Sequence, residues 1–163
     1  MTEKEQYITL GKSNILRLRI KTNEGVDTGE YLEFNLEDIE LPLKYQELLN
    51  RDKKNREWLK KQMIIIDKRE DVKGNQLLSK NEKDKIKAVQ SFLKEEVDIY
   101  NMFLGENGVQ KLLNGSELTW TSLIEINDII EKQIAPYLDI SMKNITEKIK
   151  EKYGQAENKE VLK

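Results

Sequence analysis

The sequence contains neither cysteine nor histidine. The first absence rules out a disulfide framework, a thiol nucleophile and Cys-ligated metal. The second removes the commonest general base and zinc ligand. No apolar run approaches the about 20 residues that cross a bilayer. The opening MTEKEQY is charged and polar, unlike a signal peptide. A large net charge is missing as well: at −2 there is no global case for nucleic acid or for an acidic membrane surface. The expectation is a soluble, cytoplasmic protein with no cofactor, metal or membrane partner.

Charged residues make up 36% of the 163 and hydrophobic residues 37%. That balance gives each helix one buried stripe and a broad solvated surface. It is also typical of proteins whose apolar face is completed by a partner. The length suits one compact domain with a real core. Charge is unevenly spread, with residues 1–40 and 101–140 acidic and residues 41–75 basic.

Two segments alternate strictly. In NILRLRIKT, Leu16, Leu18 and Ile20 point one way and Arg17, Arg19 and Lys21 the other; in YLEFNLE, Leu32, Phe34 and Leu36 oppose Glu33 and Glu37. NEGVDTGE between them supplies turn residues, so a hairpin with oppositely charged outer faces follows. YITL at 7–10 is a candidate third strand. A helix is expected over about 43–66, starting near Asp38–Pro42 and carrying Tyr45, Leu48, Leu49, Leu59, Met63 and Ile66. Its middle, NRDKKNRE, reads as a solvent bridge or a break.

Ser79 and Glu82 form a capping-box pattern. The helix they open carries Ile86, Val89, Leu93, Val97, Tyr100 and Leu104, broadened by Phe92, Ile99 and Phe103, and Gly105 closes it with a left-handed cap. NGVQKLLNG makes a short helix. LTWTSLIEINDIIEKQIA makes another from Thr119 or Thr121, and Pro136 kinks or ends it. A last helix carries Leu138, Met142, Ile145 and Ile149. The expected fold is α+β and mostly α: an N-terminal β-hairpin or small antiparallel sheet over residues 1–40, a bundle of about four to five helices over 41–153, and a polar tail over 154–163. Whether the hairpin docks on the helices or pairs between copies, as in a homo-oligomer, stays open.

No catalytic constellation stands out. Glu95 and Glu96 are adjacent, so on a helix they diverge by about 100°. GENG lacks the lysine and Ser/Thr of a phosphate-binding loop, and DKREDVKGN lacks the acidic spacing of a calcium loop. A non-enzymatic protein is expected. Two interaction signals remain. One is the basic run RDKKNREWLKK, where Lys53, Lys54, Arg56 and Lys60 surround Trp58, a pattern that binds phosphate backbones when it converges. The other is the apolar cluster Tyr100, Phe103, Leu104, Val109, Leu112 and Leu113, read either as core or as a seam that receives a partner helix.

The same stretch, FLGENGVQKLLNG, resembles the turn of siphophage-type tail assembly chaperones of Firmicutes phages and prophages. There a long helix with a Val-Asp…Phe-Gly-Glu pattern enters a turn and a short helix. The counterparts are Val97–Asp98, then Phe103 to Glu106, then Val109 to Leu113. Leu104 stands between Phe103 and Gly105, and Gly108 occupies a position more usually small and polar. The resemblance implies a cytoplasmic chaperone in the bacterial host. It would bind the tape measure protein, help recruit the tail tube protein and leave before the virion is finished. The alternative is a small nucleic-acid-associated accessory or regulatory protein using the helix at 51–61.

Overall fold

In the computed structural model, residues 14–154 are described, together with Gln6. The strand expected at 7–10 and the tail beyond Gly154 lie outside the described residues. The fold is α+β and mostly α.

Strand β1, Ile15–Lys21, and strand β2, Asp27–Asn35, form an antiparallel hairpin. Leu16 pairs with Phe34, Arg17 with Glu33 and Leu18 with Leu32, and the register shifts between Arg19 and Lys21. Opposite outward charges meet: Arg17 lies 3.3 Å from Glu33 and Arg19 lies 3.4 Å from Asp27. The inner face, including Ile20, Leu32, Phe34 and Leu36, joins one continuous core with the helices. The hairpin therefore docks on the bundle.

Helix α1, Glu40–Asp67, begins where the Asp38 carboxylate accepts from the Glu40 N–H at 2.9 Å, with Pro42 in its first turn. It runs unbroken through the polar middle. Leu48, Asp52, Asn55 and Leu59 keep helical spacing, and Asn55 is buried, so the stripe continues with polar residues in it. Helix α2, Lys80–Leu104, opens with the expected capping box: Ser79 Oγ accepts from the Glu82 N–H at 3.1 Å, and Glu82 Oε2 accepts from the Ser79 N–H at 3.3 Å. The two helices lie antiparallel, as the Arg51–Glu95 and Arg69–Asp84 pairs require.

The buried face of α2 runs through Asn81, Ala88, Phe92, Glu96, Ile99 and Phe103. Val89, Leu93 and Val97 flank it half-buried, and Ile86 is exposed. Ile86 stands about 160° round the helix from Ala88, on the side away from the core. Gly105 ends α2 at φ 98°, ψ 173°, a positive φ but not the left-handed helical cap expected. The left-handed turns fall at Asn107 and Asn114, on either side of helix α3, Gly108–Leu113.

Helix α4, Trp120–Ile129, starts at Thr119, which exchanges bonds of 3.1 and 2.7 Å with Ser122. It continues through a π-helical turn, Ile130–Ile134, into helix α5, Ala135–Ile149. Pro136 has no N–H to give, and the ladder is re-registered just before it, with the Ala135 N–H bonding the Ile130 carbonyl. The proline thus reshapes the helix without ending it. Ser141 Oγ of α5 bonds the Leu36 carbonyl, closing the bundle onto the hairpin.

Candidate functional site

Three segments far apart in the chain meet on one side of the molecule. The hairpin brings Leu18 and Leu32, α3 brings Leu112 and Leu113, and α4 brings Ile126 and Ile129. They floor an open cavity of about 920 Å³. Its rim is charged, with Arg19, Lys21 and Glu24 on the hairpin side and Glu117 and Glu125 on the helix side.

The shape of this cavity depends on where α3 sits, and α3 is too short to be stable by itself. Asn101 fixes it. Its Oδ1 accepts from the Val109 N–H at 2.8 Å, and its Nδ2 donates to Gln110 Oε1 at 3.0 Å. The Asn101 carbonyl also accepts the Gly105 N–H at 3.0 Å, so one residue joins the end of α2 to the start of α3. Gly108 allows the approach: a Cβ there would lie 2.5 Å from Leu104 Cβ.

Tyr100, Phe103, Leu104 and Val109 are 1, 3, 4 and 1% exposed. Phe103 packs between Phe34 and Tyr45, with ring centroids 5.5 Å from each. These four present no surface: the hairpin and α1 close over Phe103, and Tyr100 turns toward Asn127 of α4. Leu112 and Leu113 are half-buried and reach the cavity. The part of the cluster accessible to a partner is this pair, extended by the hairpin and α4.

On the basic helix, Lys53, Lys54 and Lys60 are exposed and make no ion pair among the described residues. Arg56 is engaged with Asp52 at 3.0 Å and Arg51 with Glu95 at 3.2 Å. Lys53 and Lys60 share one side of α1 and Lys54 and Lys61 the next, about 100° round, with Glu57 between them. Arg51, Lys54, Trp58 and Glu95 line a shallow groove of about 470 Å³ between α1 and α2.

Among the described residues no group of three or more Asp or Glu side chains is placed to hold a metal ion. Glu95 and Glu96 diverge as their spacing requires: Glu95 is exposed and Glu96 buried. Glu96 instead meets Asp52 and Asn55 of α1, inside the helix interface and out of reach of a substrate. The signal for that layer was the polar pair within the stripe of α1, Asp52 and Asn55 between Leu48 and Leu59. No family model, curated protein or solved structure matches the chain.

Proposed function

We propose that the chain is a non-enzymatic tail assembly chaperone that binds a long helical partner, the tape measure protein, in the cavity between the hairpin and α3–α4. The observation that carries this reading is the apolar floor of the cavity, where Leu18, Leu112, Leu113 and Ile129 are half-buried over the buried Leu32 and Ile126, rimmed by both signs of charge. An apolar groove with a polar rim suits one face of an amphipathic helix. The resemblance carried by FLGENGVQKLLNG supports it, because α3, which supplies Leu112 and Leu113, belongs to that stretch. Modest affinity per copy suffices where many copies line one long helix. Recruitment of tail tube subunits, action in the host cytoplasm and departure before the virion is complete belong to the same proposal.

The test is a co-expression pull-down with the tape measure and tail tube proteins as prey, washed at low and high salt. Salt-tolerant retention of the tape measure protein is expected. Leu113→Asp or Ile129→Asp should abolish it while the circular dichroism spectrum is unchanged. Phe103→Asp is no use here, since that residue is core.

A second reading is nucleic-acid association through α1, favoured by one observation: Lys54 stands beside Trp58, which is 39% exposed. Retention of nucleic acid alone, released by salt and lost on changing Lys53, Lys54, Arg56 and Lys60 to Glu, would sink the chaperone reading and establish this one.

A further inference from the structure

Midway along the α1–α2 seam the apolar contacts give way to Asn55 and Glu96, and Glu96 is 0% exposed. Asn55 Nδ2 donates to Glu96 Oε1 at 3.2 Å and to the Phe92 carbonyl at 3.1 Å. The other carboxyl oxygen, Oε2, is buried without a partner. Three titratable groups face this carboxyl. Asp52 of α1 lies within hydrogen-bonding reach, Arg56 of α1 pairs with Asp52, and Tyr100 stands one turn on in α2. From α4, Asn127 meets the Tyr100 hydroxyl at 3.4 Å and donates to Glu131 at 3.2 Å.

We propose that Glu96 holds a proton shared with Asp52, and that this proton is a pH-sensitive latch on the α1–α2 seam. An O–H at Oε2 that donates to the Asp52 carboxylate gives the orphan oxygen its partner and removes one of two like charges. When the proton leaves for water, two carboxylates oppose each other inside the interface, and the cation facing them, Arg56, is already engaged. Burial first, and then the neighbouring Asp52, push the Glu96 carboxyl up to about 8 from its ordinary 4.5. The folded protein therefore binds this proton more tightly than the unfolded chain does. The stabilisation is complete below pH 4.5 and is lost as pH rises through about 8.

The experiment is urea unfolding of the full chain from about pH 5 to about pH 9, in wild type and in Glu96→Gln, which keeps the shape but cannot ionise. In wild type the unfolding constant should rise at least about tenfold from about pH 5 to about pH 8, between the unfolded and folded values, and the variant should lack this rise. An NMR titration of the Glu96 carboxyl carbon in wild type gives the same answer if the variant does not fold. Its midpoint should lie at about 7 or above. A midpoint near the ordinary carboxyl value, or parallel pH profiles for wild type and variant, overturns the latch.

Discussion

Alanine at position 108 would place a methyl carbon 2.5 Å from Leu104 Cβ, where carbon atoms settle at about 3.5–4.0 Å. Neither atom can swing away, because each Cβ is fixed by its own backbone. Relief requires moving the first turn of α3 about 1 Å from the end of α2. That movement pulls on the 2.8 Å bond from Val109 N–H to Asn101 Oδ1 and the 3.0 Å bond from Gly108 N–H to the Gly105 carbonyl. Overpacking of this kind costs about 1–3 kcal/mol. Against it, alanine recovers at most about 0.5–1 kcal/mol of the helix penalty of glycine. The net expectation for Gly108→Ala is a loss of about 1–2 kcal/mol, which for a chain of this size lowers the melting temperature by roughly 2–8 °C. Urea unfolding followed by circular dichroism should show a lower midpoint with an unchanged slope. Hydrogen exchange should show lost protection at the Val109 amide. A midpoint equal to or above wild type would refute the close approach of α3 to α2, since helix propensity alone favours alanine.

Asn81 donates to the Ile66 and Arg69 carbonyls at 3.0 and 3.1 Å; Asn81→Ala removes both bonds that tie α2 to the end of α1 and should cost about 1–3 kcal/mol in chemical denaturation. Ser79→Ala and Thr119→Ala each remove one side of a capping box and should each cost about 1 kcal/mol by the same measurement. Arg51→Ala breaks only a half-exposed pair with Glu95 and should change stability by less than about 1 kcal/mol. Phe103→Ala should cost about 3–5 kcal/mol, and a smaller loss in thermal unfolding would remove that ring from the core.

The elements that could be read from the sequence are those whose signals are local. Period-two alternation gives the hairpin, and the opposite signs on its two outer faces favour the pairing. Ser79 with Glu82, three residues apart, marks the start of α2 before any packing is known. The unbroken course of α1 could not be read from its own residues, because Asn55 owes its burial to Glu96 and Phe92, about forty residues on. The same holds for the cluster around the GENG turn. Tyr100, Phe103, Leu104 and Val109 are apolar in either reading, and only the distant elements packed over them, the hairpin and α1 at Phe103 and α4 at Tyr100, decide between core and surface. Ile86 shows the converse, a stripe residue left exposed because, among the described residues, no element covers it. The cavity is legible only once folded, since its floor is drawn from three segments with no common pattern.

The π-helical turn before Pro136 acts as a phase corrector. The buried residues Ile126, Ile130, Ile134 and Leu138 recur at strict intervals of four. At 3.6 residues per turn each such step overshoots the face by about 40°. Three steps would carry Leu138 about 120° round, away from the core. The extra residue accommodated in the wider turn absorbs much of that drift and returns Leu138 and Ser141 to the side facing Leu36. Residue number within this segment is therefore as much a determinant of docking as residue type. A single deletion between 131 and 133 would swing the rest of α5 about 100° as a rigid arm. Most substitutions at the same exposed positions would leave its heading untouched.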